Sequence, residues 1–207
     1  APPVPEGSES PLAKHLNLIP EFQGKPYLSG LFVFKILSGP YTDFFNGRIV
    51  FPYWLGGKSV YMIARATDIT PVTSYECYAD KDGKVKLDDQ GKPQYIKYKK
   101  LLTHNPENSM RMNISKFIQN ETFMGEDTIR GEKEIIITEG APDWVSAVDK
   151  AFPAISPVTT RFREEDQEKL AGLTAGAESI YIINDNEENR AGLNGALKTA
   201  KYLTRKG

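Results

Sequence analysis

Cysteine and histidine are scarce in this chain of 207 residues, which limits the kinds of site that it can build. Cys77 is the single cysteine, so an intramolecular disulfide and a zinc ribbon are both excluded. The two histidines, His15 and His104, are too few for a histidine-rich metal centre. No apolar run approaches the roughly 20 residues that a membrane-spanning helix needs. We therefore expect a cytoplasmic protein of a reducing compartment, without a membrane partner, whose site uses carboxylates, lysine, arginine and backbone.

An excess of charge of one sign is also lacking. The chain has 26 Lys and Arg against 27 Asp and Glu, which excludes a wholly basic binder of polyanions. The charge is nevertheless divided along the chain. Residues 44–101 carry ten basic and six acidic side chains, a net of +4, whereas residues 131–207 carry ten and thirteen, a net of −3. This division is expected if one half binds phosphates and the other binds cations, and chance segregation is the alternative.

The first part of the chain is predicted to be mixed α+β. Residues 1–11 are rich in Pro, Ser and Glu and predict a flexible tail or linker. In the following segment, 12–130, two β-rich runs at 48–54 and 59–65 surround Gly56-Gly57, which predicts a hairpin. We expect a second strand pair from residues 75–78 and 94–98, around the polar stretch 80–93.

Residues 131–207 alternate between short apolar runs and helical patterns. The runs predicted as strands are 134–138, 154–158 and 179–183, the first and last of them buried, and each is followed by a helix. In the last helix, one apolar face is predicted from Leu193, Ala196, Leu197, Ala200 and Leu203. The alternation indicates a parallel α/β unit, in which ligands bind at the carboxyl ends of the strands.

Carboxylates follow two of these strands. Glu139 comes after the first, and Asp185 and Glu187 come after the third. Three carboxylates at neighbouring strand ends would repel one another unless a divalent cation lay among them, and Mg²⁺ prefers such oxygen ligands. The alternative is that Glu139 and Glu187 are helix N-terminal charges favoured by the helix dipole.

The same residues resemble a known family. Glu139-Gly140-Ala141-Pro142-Asp143 matches the E-G-x-x-D element of Toprim domains, which DnaG-type primases, phage primase-helicases, topoisomerases and some nucleases share. Asp185-Asn186-Glu187, with Ala191-Gly192 beyond it, resembles the D-x-D…A-G element. Upstream, the segments that resemble the polymerase core of DnaG-type primases are Arg48-Ile49-Val50-Phe51-Pro52, Ile63-Ala64-Arg65, Lys97-Tyr98 and Asn105-Pro106-Glu107.

The resemblance implies an α/β protein with an α+β N-terminal subdomain over 12–130 and a Toprim-type parallel α/β subdomain over 131–207. It implies template-directed synthesis of short RNA primers on single-stranded DNA, with ribonucleoside triphosphates as substrates and a replicative helicase as partner. Glu139 and Asp143 would be catalytic, and two or more Mg²⁺ or Mn²⁺ ions would be held by Glu139, Asp185 and Glu187. Nucleic acid or nucleotide would be bound by Arg48, Arg65, Lys97, Tyr98 and Lys99.

The sequence departs from the family pattern in two ways, which leave other functions open. Glu187 stands where the family usually has Asp, and the sequence ends before the further strand and acidic pair of DnaG-type enzymes. We therefore expect a Toprim subdomain truncated at its C-terminal end, in an excised fragment or in a minimal phage or plasmid version. A Toprim nuclease and a degenerate module that binds nucleic acid or a partner are the alternative functions.

Overall fold

Helices and strands mix along the chain in an α/β fold, as the sequence predicts. The computed structural model describes residues 10–24, 32–35, 41–71, 76–108, 111–112, 114–158, 161–185, 188 and 190–206. The chain divides into a first unit, residues 1–51 with 62–118, and a second unit, residues 52–61 with 119–207. The predicted boundary between residues 130 and 131 stays a prediction. Within the described ranges, no helix has the length and apolar character needed to cross a membrane.

The first unit begins with helix α1 (Pro11–Asn17), a 3₁₀ turn (Pro20–Phe22) and the antiparallel strands β1 (Phe32–Lys35) and β2 (Tyr41–Asp43). Ser10 caps α1, because its hydroxyl oxygen accepts a hydrogen bond from the Ala13 amide at 3.2 Å. The same hydroxyl donates to the Asp43 carboxylate. A single buried serine therefore joins the start of α1 to the end of β2.

The predicted hairpin is confirmed. It consists of β3 (Arg48–Leu55) and β4 (Lys58–Ala66), joined at Gly56 and Gly57. Both glycines have positive φ angles, 58° and 74°, as a two-residue hairpin turn requires. A third strand, β5 (Tyr98–Lys100), pairs antiparallel with β4. The hairpin's outer residues, 52–61, are assigned to the second unit.

The predicted second strand pair forms only as isolated bridges. Cys77 bridges Tyr95, and the Tyr78 amide donates to the Gln94 carbonyl at 2.9 Å, so the pairing is as expected. Tyr75 lies outside the described residues. Two tight turns at 80–84 and 88–92 divide the polar stretch into runs too short for regular strands, which is why only β5 qualifies as one here.

The second unit carries the alternating strands and helices. Its elements are β6 (Glu134–Thr138), α2 (Ala141–Asp149), β7 (Ala154–Ile155), a 3₁₀ turn (Glu164–Asp166), α3 (Gln167–Thr174), β8 (Ser179–Ile183) and α4 (Ala191–Lys206). The strand order is β7-β6-β8, and both pairings are parallel. The predicted parallel α/β unit is therefore confirmed.

One face of this sheet contacts the core of the second unit. The buried core residues are Phe123, Ile129, Ile135, Ile137, Ile155, Phe162 and Leu170. Ile180 and Ile182 of β8 pack against them, as does Leu203 of α4. Because side chains alternate between the faces of a strand, Ile136, Tyr181 and Ile183 point to the opposite face. Helix α2 is joined to β7 by the Trp144 indole N–H, which donates to the Ala154 carbonyl at 2.8 Å.

One sequence prediction about burial is wrong. β8 is not a buried strand, because Tyr181 and Ile183 are 50% and 58% exposed at the edge of the described sheet. The predicted apolar face of α4 is only partly covered. Leu193 and Leu197 are 43% and 59% exposed, whereas Leu203 packs against the core. The periodicity of apolar residues showed where they lie around the helix, but not how much of that surface the sheet covers.

Candidate active site at the ends of the parallel strands

The carboxyl ends of β6 and β8 lie side by side. The two strands pair in register from Glu134 with Ser179 to Thr138 with Ile183. Glu139 follows β6 directly, and Asp185 follows β8 after one intervening residue. The Asp185 backbone amide donates to Glu139 Oε2 at 3.0 Å. Two of the residues singled out from the sequence, Glu139 and Asp185, are therefore neighbours at the carboxyl end of the sheet.

Gly192, in the first turn of α4, packs tightly against this pair. A β-carbon at position 192 would collide with the Asp185 carbonyl oxygen and would lie 2.8 Å from Glu139 Oε2. The Gly192 carbonyl accepts a hydrogen bond from the Asn184 side-chain amide at 3.2 Å. A residue without a side chain is therefore required for α4 to begin beside Glu139. Sequence reasoning placed Gly192 only within a motif and missed this packing role.

Asp143 lies in the first turn of α2, one helical turn after Glu139. Its side chain is exposed, and Asp143 Oδ2 lies 3.3 Å from the position that a β-carbon on Gly140 would occupy. Gly140 is the residue before α2, so Asp143 lies over the turn that leaves Glu139. A carboxylate is favoured here by the positive end of the helix dipole.

The metal ligands predicted from sequence are only partly described. Glu187 lies outside the described residues, and within the described ranges no group of three or more His, Cys, Asp or Glu is arranged to hold a metal ion. The donors that are described, Glu139 and Asp185, offer carboxylate oxygens, which Mg²⁺ and Mn²⁺ prefer. The donor set therefore fits a hard divalent cation.

In the first unit, Arg48 is buried in an ion pair. Its Nε donates to Glu76 Oε2 at 2.6 Å and its Nη1 to the Ile96 carbonyl at 2.7 Å, while Nη2 also contacts Glu76. The arginine is only 2% exposed, so a phosphate has no access to its guanidinium in this conformation. Its predicted contact with nucleic acid stays a prediction.

Lys99 belongs to the same buried cluster. Its Nζ donates to Glu76 Oε1 at 2.9 Å and lies 4.6 Å from the centroid of the Phe44 ring. Burial lowers the pKa of Lys99, and the hydrogen bond to Glu76 opposes this shift. Glu76 was missed by sequence reasoning, because a single carboxylate in a basic segment gives no signal that it will be buried between two cations.

The other predicted contacts are distributed differently. Arg65 pairs with Tyr98 across β4 and β5, and Ile63 pairs with Lys100, so Arg65, Tyr98 and Lys100 share one face of this sheet. Lys99 points to the opposite face, because neighbouring residues of a strand alternate. Lys97 is exposed, and its carbonyl accepts a hydrogen bond from the Ala66 amide at 2.8 Å. Lys97 and Lys100 are exposed, and Arg65 and Tyr98 are half-buried, so each of these four side chains reaches the surface of the first unit.

Comparison with known proteins gives structural matches only. No protein-family model matches the chain, and no curated protein matches it in sequence. A primase from Aquifex aeolicus, with zinc-binding and RNA polymerase domains, is similar at TM-score 0.59 and 18% identity, over 97% of this chain and 42% of that one. A DNA primase domain from Pseudomonas aeruginosa gives 0.58 and 20%, over 100% and 51%.

A DnaG primase catalytic domain bound to single-stranded DNA is similar at TM-score 0.54 and 15% identity, over 93% of this chain and 51% of that one. The chain therefore spans about half the length of the solved primases that it matches. At these identities the likeness concerns the fold. The two units, with their antiparallel and parallel sheets, have the fold of DnaG-type primase catalytic cores.

Proposed function

We propose that this chain is a primase catalytic core that synthesises short RNA primers on single-stranded DNA. The observation that carries the proposal is the hydrogen bond from the Asp185 amide to Glu139, which joins two carboxylate-bearing strand ends within a primase-like fold. The single-stranded DNA of one solved neighbour supports the choice of template. Ribonucleoside triphosphates as substrates and a replicative helicase as partner belong to the same proposal.

Glu139, Asp185 and Glu187 would hold Mg²⁺ or Mn²⁺. When bound, such ions neutralise the charge that develops on a triphosphate during nucleotidyl transfer. Glu139 is oriented for this role by the Asp185 amide and by the close approach of Gly192. Asp143, over the same turn, would orient a water of the ion or move a proton.

In the first unit, Arg65, Tyr98 and Lys100 would bind template or nucleotide on one face of β4 and β5, and the exposed Lys97 would bind a phosphate from the side of Lys99. The aromatic ring between cations suits a single strand, whose bases stack and whose phosphates attract lysine and arginine. Arg48 and Lys99 would act mainly by positioning β4 and β5, because Glu76 holds both of them.

The test is primer synthesis from labelled ribonucleotides on single-stranded DNA with Mg²⁺ or Mn²⁺. Growing short products support the proposal, shortened DNA indicates a Toprim nuclease, and unchanged DNA with a mobility shift indicates a binding module. Glu139→Gln should lower synthesis at least about a hundredfold, as for other positioned catalytic groups. The fold should survive, because the glutamine oxygen can still accept from the Asp185 amide.

Glu134→Gln is the matched control, because Glu134 starts the same strand that Glu139 follows. Its side chain is exposed, and its carboxylate accepts a long hydrogen bond of 3.3 Å from the Tyr181 hydroxyl. Synthesis should be unchanged in this variant. Equal activity of the Glu139→Gln and Glu134→Gln variants would show that Glu139 has no role in the reaction.

A further inference from the structure

Residues 76–96 of the first unit, here called the three-run segment, contain the same turn twice. Asp80 Oδ1 accepts from the backbone amides of Asp82 and Lys84 at 3.0 and 2.9 Å. Eight residues later, Asp88 Oδ1 accepts from the amides of Gln90 and Lys92, both at 2.9 Å. Each turn also contains a glycine with positive φ, Gly83 and Gly91. The turns thus separate three short runs, 76–80, 84–88 and 92–96.

Each run of this segment bonds to the other two. The Tyr78 amide donates to the Gln94 carbonyl, the Gln94 amide to the Lys86 carbonyl, and the Lys86 amide to the Tyr78 carbonyl, at 2.8 to 2.9 Å. The bridged pairs are Cys77 with Tyr95, Ala79 with Val85 and Leu87 with Pro93. Bridged residues share a face, so all six of these apolar residues lie on one side. The residues that alternate with them lie on the other side: Tyr78, Lys84, Lys86, Lys92 and Gln94.

The base of the segment is held by the buried charge cluster. Arg48 donates both to the Glu76 carboxylate, at the start of the first run, and to the Ile96 carbonyl, at the end of the last. The Ile96 amide in turn donates to the Glu76 carbonyl at 2.9 Å. Both ends of the segment are therefore held by one arginine, which makes the segment an ordered extension of the sheet formed by β4 and β5.

The polar face carries groups that suit a nucleic acid strand. Lys84, Lys86 and Lys92 are exposed, and none has an ion-pair partner among the described residues. The carboxylates of Asp80 and Asp88 are also exposed on this face, and each accepts two hydrogen bonds from the backbone amides of its own turn. The face thus combines three lysines and two carboxylates with the exposed aromatic ring of Tyr78, which is 49% exposed. Lysines contact phosphates, and an aromatic ring stacks on a base without regard to sequence.

We infer that the polar face of the three-run segment binds single-stranded nucleic acid, with Lys84, Lys86 and Lys92 on phosphates and Tyr78 against a base. The last run leads at Ile96 through Lys97 into β5, so this surface is continuous along the chain with Lys97 and Tyr98. The inference rests on the proposed function for the choice of ligand. It adds a binding element that the catalytic residues and the sequence motifs do not include.

The test compares two triple variants in binding to labelled oligo-dT, measured by fluorescence anisotropy from low to high salt. The first is Lys84→Gln, Lys86→Gln and Lys92→Gln. The control removes the same charge from exposed lysines of the second unit, Lys133→Gln, Lys150→Gln and Lys201→Gln. Each phosphate contact with a single strand contributes about 0.7 to the steepness with which log K falls as log salt rises. Loss of three such contacts in the first variant should therefore make the slope shallower by about 2. The control should keep the wild-type slope.

A second variant tests the aromatic group. Tyr78→Leu keeps apolar bulk but removes the stacking ring, and we expect affinity for oligo-dT to fall about tenfold with the salt slope unchanged. Wild-type slopes and affinities in both sets of variants would overturn the inference, even if primers are made. If in addition Leu87→Glu changed the sedimentation of the protein, the apolar face would be a protein-docking surface instead. Lysine-dependent binding without primer synthesis would support the inference and reject the proposed function.

Discussion

At the scale of single residues, the candidate site depends on how closely α4 approaches Glu139. Gly192 allows this approach, because its hydrogen leaves room for the Asp185 carbonyl and for Glu139 Oε2. The carboxylate is thereby held between a backbone amide of one element and the first turn of another. A side chain at position 192 would separate α4 from β8.

Gly192→Ala should destabilise the protein by about 1–3 kcal/mol, the usual cost of forcing a methyl group into packed structure. Primer synthesis should fall as well, because Glu139 must move. Gly195→Ala in the same helix is the control, since its β-carbon would have only ordinary contacts, the nearest at 3.8 Å. We expect the control to be neutral or more stable, because alanine favours helix. Urea unfolding measures the stability of both variants. Equal stability of the two would contradict the close packing of Gly192 against Asp185 and Glu139.

The single cysteine gives a second prediction at this scale. Burial and then the neighbouring Glu76 carboxylate raise the pKa of the Cys77 thiol, whereas Arg48 opposes the shift. A thiol whose pKa is higher when folded contributes stability below its unfolded value of about 8.5 and loses it as the pH rises further. The ¹³Cβ shift of Cys77 should titrate above that value in the native protein and at it in urea. A titration midpoint at or below about pH 8.5 in the native protein would contradict the burial of the Cys77 thiol.

At the scale of elements, the buried cluster of Arg48, Glu76 and Lys99 connects three pieces of the first unit. Arg48 lies on β3, Lys99 on β5, and Glu76 begins the three-run segment. Removing charges from water is costly, so each of them is stable here only with its partners. The cluster orients β5 and the three-run segment together. Arg48 therefore supports nucleic acid binding by positioning these elements, without contacting the ligand itself.

Arg48→Met should lower the free energy of unfolding by about 3–5 kcal/mol, because the Glu76 carboxylate would lose a buried partner. Lys97→Ala is the contrasting variant. Lys97 is exposed, so its removal should change stability by no more than about 0.5 kcal/mol while weakening oligonucleotide binding. Chemical denaturation and anisotropy separate the two effects. Equal stability of Arg48→Met and the wild type would show that the cluster does not support the fold.

At the scale of the whole molecule, charge and chemistry divide between the two units. The first contains the basic strands and the three-run segment, and the second contains the carboxylates at the ends of β6 and β8. Cations and nucleic acid would therefore bind to separate sets of side chains. Such a division predicts that the protein still binds nucleic acid when the cations are removed, and still binds cations without nucleic acid.

Removing divalent ions with EDTA should abolish synthesis but change the affinity for oligo-dT by less than about twofold. Mn²⁺ should raise the melting temperature of the wild type by preferential binding to the folded state. Asp185→Asn should reduce this rise. Asp149→Asn should not, because Asp149 is a surface carboxylate of α2 whose ion-pair partner among the described residues is Lys150. Loss of oligonucleotide binding in EDTA, or an equal Mn²⁺ effect in both variants, would contradict the division.

The sequence by itself determined the local elements and the edge at which the site forms. Apolar runs predicted β6 and β8 to the residue, Gly56-Gly57 predicted the hairpin turn, and the parallel pattern placed Glu139 and Asp185 at neighbouring strand ends. These features depend on residues close in sequence, or on a rule that applies to all parallel sheets.

Only the tertiary structure decided which charges are buried and which apolar residues are exposed. The sequence predicts the same nucleic-acid-binding role for Arg48, Lys97 and Lys99. Glu76 holds Arg48 and Lys99 inside the fold, however, whereas Lys97 is exposed. Likewise Leu197 and Leu203 have the same apolar character, and only Leu203 packs against the core. Burial depends on which distant segments meet, and those contacts form between residues far apart in the chain, where local periodicity carries no signal.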